Sequence, residues 1–173
     1  QAGRQPETPA HHPGLFMKRR VVITGIGVIA PIGIGLNQFW EAAIQGKSGV
    51  GEVTLFDAQN YENRTAAEVK DFSPKEFMLP EVYRKTDRFA QMGIAAAKMA
   101  IEDGGIQSLV DKNRNNIAVI IGSGLGGSLF HEEQVFKLIE NKDPRKVLSS
   151  SVPRIAPNAV SAFIAMQFKL RGP

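Results

Sequence analysis

The sequence predicts an α/β fold, and three observations carry that expectation. Two apolar runs, Arg20-Val-Val-Ile-Thr24 and Asn116-Ile-Ala-Val-Ile-Ile121, have the continuous hydrophobic character of strands covered on both faces. Helix-patterned segments follow each run, giving the strand–helix–strand–helix alternation of α/β proteins. Between them, residues 89–101 hold only Gln91 and Lys98 as strongly polar side chains. Apolar groups on nearly every face indicate a helix buried between layers, since a surface helix keeps one polar side.

Taken in order, the run at 20–24 is stopped by Gly25-Ile-Gly27 and reads as a buried strand. Pro31, Gly33 and Gly35 mark the loop after it, and Asn37 is placed to cap a helix carrying Phe39, Trp40, Ala43 and Ile44, which ends at Gly46. Residues 47–80 are rich in loop formers, with a short strand expected at 66–69. Thr86 or Asp87 then starts the buried helix, and Gly104-Gly105 ends it. After the strand at 116–121, Gly122-Ser-Gly-Leu-Gly-Gly127 turns tightly into a helix running to about Glu140. Residues 148–157 look irregular. Asn158 can cap a last helix whose Val160, Ile164 and Phe168 fall at i, i+4 and i+8.

Composition limits the chemistry. With 173 residues, 43% hydrophobic and 22% charged, the chain fits one folded domain with a sizeable core. It contains no cysteine, which excludes disulfides, thiolate metal sites and a cysteine nucleophile within these residues. Its three histidines, at 11, 12 and 131, argue against a His-rich metal centre, and no metal is expected. A net charge of +4 is too small to imply nucleic acid but suits an acidic partner. No apolar run approaches the roughly 18 residues of a membrane span. Residues 1–16 (QAGRQPETPAHHPGLF) lack periodicity and hold three prolines. They read as a disordered or added tail upstream of the fold, which begins at Met17.

Several motifs imitate functional sites. Gly122-x-Gly124-x-x-Gly127 follows an expected strand and opens a helix, as a dinucleotide fingerprint does. The second strand ending in an acid about 20 residues on is missing, because that distance reaches Asp143-Pro144-Arg145. Gly25-x-Gly27-x-x-Ala30 runs straight into Pro31. Gly46-Lys47-Ser48 has Glu41 where a P-loop needs glycine. A nucleotide-binding α/β domain is therefore the most distant of the functional alternatives. Glu132 and Glu133 are adjacent, so on a helix they point in different directions, and His131 has no base partner in sequence. Arg84, Lys85 and Arg88, with Lys75 nearby, form a basic cluster at the start of the buried helix. Its plain reading is a solvated helix end.

The motifs taken together resemble one family. Arg19-Arg20-Val-Val-Ile-Thr-Gly-Ile-Gly, Pro31-x-Gly33 and Phe39-Trp40-x5-Gly46-Lys-Ser-Gly49 resemble the opening of β-ketoacyl-(acyl-carrier-protein) synthases of the elongating type. The similarity continues through Phe56-Asp57, Glu68-Val-Lys-Asp-Phe72, Asp87-Arg-Phe89, Ile120-Ile-Gly-Ser-Gly-Leu-Gly-Gly127, Pro144-Arg-Lys146 and Leu170-Arg-Gly-Pro173. It spans 18–173 in order and at family spacing. The resemblance implies a thiolase-like fold of αβαβα layers, of which 17–173 is an incomplete N-terminal half, in a cytoplasmic homodimer. It also implies decarboxylative Claisen condensation of acyl and malonyl thioesters delivered by acyl carrier protein. No cofactor is implied beyond the phosphopantetheine that arrives on that carrier. The family's nucleophilic cysteine lies shortly after the position of Pro173 and its histidines and lysine later. No catalytic residue is therefore expected in this chain, and alone it is expected to be inactive.

Some family positions carry over. Leu125, in the glycine turn, matches the position that gates the acyl tunnel. Ser151 and Val152 match positions lining its far end near the dimer contact. Ser149-Ser150-Ser151 stands where the elongating type commonly has Pro-Phe-Phe, which implies a wider or reshaped pocket. Arg84 and Lys85 match two basic positions of the carrier-docking segment and Arg88 lies beside them, while Glu81 occupies a third. The alternative is a chain-length factor, a ketosynthase-like partner that heterodimerises and lacks the nucleophile. The resemblance further leads to the expectation that helix 89–101, apolar on nearly all faces, lacks its cover in this incomplete half, so that residues 17–173 alone are aggregation-prone or molten.

Overall fold

Ile29–Ala30 (β1) and Gly33–Ile34 (β2) pair antiparallel around Pro31 and Ile32, with Ile29 opposite Ile34, at the start of a computed structural model that describes residues 20–172. The expected tail at 1–16 lies outside the described residues. Leu36–Ile44 forms helix α1. It starts directly after Gly35, so Asn37 sits inside the first turn and does not cap it, correcting that expectation by two residues.

Val50–Glu52 (β3) and Thr65–Ala67 (β4) form a second antiparallel pair. The expected strand at 66–69 is thus present but starts earlier, because Asn63 Oδ1 accepts from the backbone N–H of Thr65 and sets the chain into the ladder there. Glu68, just past the ladder, accepts from the Thr54 hydroxyl at 2.7 Å and from the backbone N–H groups of Thr54 and Leu55. These bonds stabilise the ionised carboxylate and hold its pKa below the usual 4.5.

Pro80–Tyr83 (α2) leads into the central helix, Arg88–Asp103 (α3). Asp87 caps α3 by accepting from Arg88 N–H at 2.5 Å, and Gly104 closes the other end. As the composition of 89–101 predicts, no residue in that stretch is exposed. Gln107–Lys112 (α4), Ser128–Asn141 (α5), Ser151–Ile155 (α6) and Ala159–Phe168 (α7) complete the helices. The core sits where α3 meets α7. Ile94 is 0% and Val160 1% exposed, and Met78, Ala90 and Ile164 join them, flanked by Phe77, Phe89, Phe163 and Phe168. The i, i+4, i+8 stripe of α7 is therefore its core face, although Asn158 makes no side-chain cap.

Two expectations need correction. Residues 148–157 are not irregular throughout: α6 forms there. Pro153 occupies the third helical position, where an N–H has no intrahelical acceptor to lose, so it does not break the turn. The strands expected at 20–24 and 116–121 are not formed as ladders. Asn116 ends a 3₁₀ turn, and neither run pairs with another strand among the described residues. The reason is physical. A strand exists through its neighbours, and an apolar run records what will cover it, not that the cover is near. Val21 is 92% and Ile120 91% exposed. The backbone just after the first run nonetheless lies on α3: a Cβ at Gly27 would strike the Ala96 carbonyl, and Ile26 N–H donates to Asp103 at 2.9 Å. The second run is anchored through Val119, which packs against the core.

Candidate functional site

The three sequence-predicted site segments are far apart in the chain, and the fold connects them. The first is the basic segment between α2 and α3. Thr86 Oγ1 donates to Val82 O at 2.9 Å, and Gln91 Nε2 donates to Tyr83 O and Thr86 O at 2.9 and 3.1 Å. The backbone of 82–87 is thereby fixed while Arg84 and Lys85 stay exposed, with no acidic partner among the described residues. Arg88 differs from them. Its guanidinium donates to Val69 O and lies 5.7 Å from the centroid of the Phe72 ring, so it ties α3 to the loop after β4. Glu81 is exposed on α2, one turn from Arg84 and Lys85.

The second segment is the glycine turn 122–127. Ser123 Oγ accepts from Gly126 N–H at 3.1 Å and closes the turn, which leaves Leu125 80% exposed. Gly126 has φ +60, in the left-handed region that favours glycine. A Cβ there would also collide with the Ile155 carbonyl, and one at Gly127 with the Arg154 carbonyl. Gly127 N–H donates to Ile155 O at 2.9 Å. The turn therefore lies flat against the end of α6, which only glycine permits at these two positions.

The third segment is α6 itself, with Ser151 and Val152 in its first turn. Ser151 is half-buried and its hydroxyl donates to Leu148 O at 2.5 Å, whereas Val152 is exposed. Gln134 of α5, itself buried, accepts from Leu148 N–H at 3.0 Å and holds the approach to α6.

Asp87, expected only as a helix start, and Arg154, not singled out from sequence, join these segments. Asp87 caps α3 with Oδ1, and its Oδ2 accepts from Phe130 N–H at 3.3 Å in the first turn of α5. The carboxylate thus bridges the helix N-termini on both sides of the site, where negative charge is favoured. Arg154 lies with its guanidinium 4.7 Å from the centroid of the buried Phe130 ring and donates through Nη2 to the carbonyl of Arg84. The only sequence signal for Arg154 is a cation between Pro153 and Ile155 in a stretch otherwise free of charge.

Among the described residues, no three His, Cys, Asp or Glu side chains gather as a metal site, and no helix is long and apolar enough to cross a membrane. The arrangement sets a fixed basic segment beside a glycine turn and a short helix on which Leu125 and Val152 are exposed and Ser151 half-buried.

Comparison with known proteins identifies the family. Residues 18–173 match the family described as "Beta-ketoacyl synthase, N-terminal domain". The chain is 38% identical over 156 residues to 3-oxoacyl-[acyl-carrier-protein] synthase 2 of Coxiella burnetii, and 40% identical to the Vibrio harveyi protein of the same name. Each alignment covers 90% of this chain and 37% of the relative, so the chain spans little more than a third of their length. The solved ishigamide ketosynthase/chain length factor superposes with a TM-score of 0.80 at 31% identity, over 89% of this chain and 38% of that one. A type II polyketide ketosynthase solved with its acyl-carrier protein superposes at 0.71 with 21% identity, covering 88% of this chain and 40% of that one, a likeness of fold. The chain thus superposes on part of the α/β, thiolase-like fold of these ketosynthases, although the described residues form only two short antiparallel pairs of its strands. The chain belongs to the β-ketoacyl synthase family.

Proposed function

We propose that this chain forms the carrier-docking and acyl-binding side of a 3-oxoacyl-(acyl-carrier-protein) synthase. The observation that carries the reading is the convergence of the basic segment, the glycine turn and α6 on Asp87 and Arg154, in a chain that matches the family along 18–173. In this reaction a cysteine thiolate supplied from outside these residues attacks the acyl thioester and expels the phosphopantetheine thiol. Malonyl-carrier loses carbon dioxide, and the resulting carbanion attacks the acyl-enzyme and releases the thiolate. Arg84 and Lys85 attract the acidic carrier, with Arg88 holding the segment from behind. Leu125 gates the acyl group, and Ser151 and Val152 line the far end of its tunnel. The protein works as a cytoplasmic homodimer and needs no cofactor of its own.

The test is condensation by the full-length protein from carrier-bound acyl and malonyl groups, followed by intact mass for the acyl-enzyme. A mass increase equal to the acyl group and release of carbon dioxide are expected. The double variant Arg84→Glu, Lys85→Glu should slow transfer from the carrier about tenfold at low salt, with the gap narrowing as salt rises. Unchanged transfer at low salt overturns the docking assignment.

A second reading is favoured by Ser149-Ser150-Ser151, which replaces the aromatic packing common in the elongating type, and by the similarity to the ketosynthase/chain length factor. On this reading the protein is a non-catalytic partner that shapes the tunnel of a ketosynthase heterodimer. It predicts no acyl-enzyme on this protein and condensation only when a ketosynthase is added.

A further inference from the structure

We infer that Arg154 is a positioning residue that locks the carrier-docking segment to the acyl-gating turn, so that carrier docking and acyl entry share one rigid frame. The inference rests on the functional reading above and assigns a role to a residue which that reading leaves without one. Arg154 reaches in two directions from a single helical turn. Its side chain spans to the docking segment, where Nη2 donates to the carbonyl of Arg84 across 70 positions of sequence. Its own backbone carbonyl faces Gly127 so closely that no Cβ fits between them, and the next carbonyl, of Ile155, accepts from Gly127 N–H at 2.9 Å. One residue therefore touches both predicted functional segments.

The guanidinium is held where it is by its surroundings. It stacks on Phe130, which is 7% exposed and belongs to the first turn of α5, the helix that the glycine turn opens. Phe130 N–H in turn donates to Asp87, the cap of α3 at the end of the docking segment. A closed loop of contacts results: Arg84 carbonyl, Arg154 guanidinium, Phe130 ring and backbone, Asp87, then back along three peptide bonds to Arg84. Arg154 Nε is buried within this loop without a hydrogen-bond partner. Leaving a charged group's N–H unpaired is costly. The guanidinium is nonetheless held by its stacking on Phe130 and by the bond from Nη2 to the Arg84 carbonyl. Lysine, a point charge on a flexible stem, cannot stack and reach the carbonyl with the same fixed geometry.

A rigid frame matters because the acyl group arrives on a tethered arm. Docking of the carrier fixes where the arm enters, and the gate must lie at a set distance from that point. A substrate that brings its thioester without a carrier protein has no docking step and does not use the frame in this way. The test compares two substrates of the full-length protein: a hexanoyl group on an acyl carrier protein, and the same group on N-acetylcysteamine. For Arg154→Met and Arg154→Lys, the carrier-bound to carrier-free ratio of kcat/KM is expected to fall about tenfold, mostly through KM of the carrier-bound substrate. Phe130→Leu, which removes the ring but keeps the arginine, should give a smaller fall in the same direction. Because a variant that merely unfolds loses both substrates together, a ratio that stays at the wild-type value overturns the inference. A wild-type protein that turns over neither substrate overturns the functional reading, and this inference with it.

Discussion

Asp87 and Arg154 use charge for architecture in the same way. Each gives a hydrogen bond to, or takes one from, the backbone of a distant segment: Asp87 accepts from Phe130 N–H and Arg154 donates to the Arg84 carbonyl. Ser151 is different, since its half-buried side chain is tied only to Leu148 O, within its own turn. Its neighbour Val152 is exposed, and on the proposed reading position 151 carries no ring where the elongating type commonly has one. Ser151→Phe should restore that ring and shorten the space for the acyl group. In the full-length protein, chain-length preference is expected to move toward shorter acyl groups, with kcat/KM for the longest accepted chain falling about tenfold, in line with the effect of added bulk in an apolar pocket. Competition between acyl-carriers of different length measures this directly. An unchanged profile excludes position 151 from the tunnel wall.

Among the elements, α3 and α7 hold the described fold together. Ile94 is fully buried at their contact, while Ile44 on α1 is largely exposed. Ile94→Ala should therefore cost about 3 kcal/mol, and Ile44→Ala within about 0.5 kcal/mol, read as shifts of the denaturant midpoint at unchanged slope. Equal losses at the two positions would place the core elsewhere. The same two helices show what is legible in sequence. Local signals suffice for α3: an Asp cap, an apolar stretch and a closing Gly-Gly all lie within its own residues. The stripe of α7 is likewise local. The runs at 20–24 and 116–121 fail as strand assignments because their ladder partners are a non-local matter on which composition is silent. The cluster at the site is only half legible for a similar reason. Arg84, Lys85 and Leu125 stand in motifs, but the role of Arg154 depends on Phe130 and the Arg84 carbonyl, which only the folded chain brings to it.

At the scale of the whole molecule, the described residues satisfy their centre and leave their margins open. The α3–α7 core is closed, so the cover that the apolar composition of 89–101 demands is supplied from within, by α7 and by the segment 77–83. Uncovered apolar surface lies elsewhere, including Val21, Val22, Ile23, Ile120 and Ile121. These side chains coincide with the two runs whose backbone groups pair with no strand among the described residues. Each run thus combines an apolar surface with unpaired N–H and C=O groups, and that combination templates pairing with another chain. The core argues for folding, and the margins argue for association of what has folded. Residues 17–173 expressed alone should therefore keep helical circular dichroism, bind a hydrophobic dye, and sediment as concentration-dependent oligomers. Val21→Lys with Ile120→Lys should shift that distribution toward monomer without loss of helix signal, because both side chains are more than nine-tenths exposed and no core contact is given up. A wild-type fragment that sediments as a monomer and unfolds in one sharp, reversible transition would show that these margins are inert.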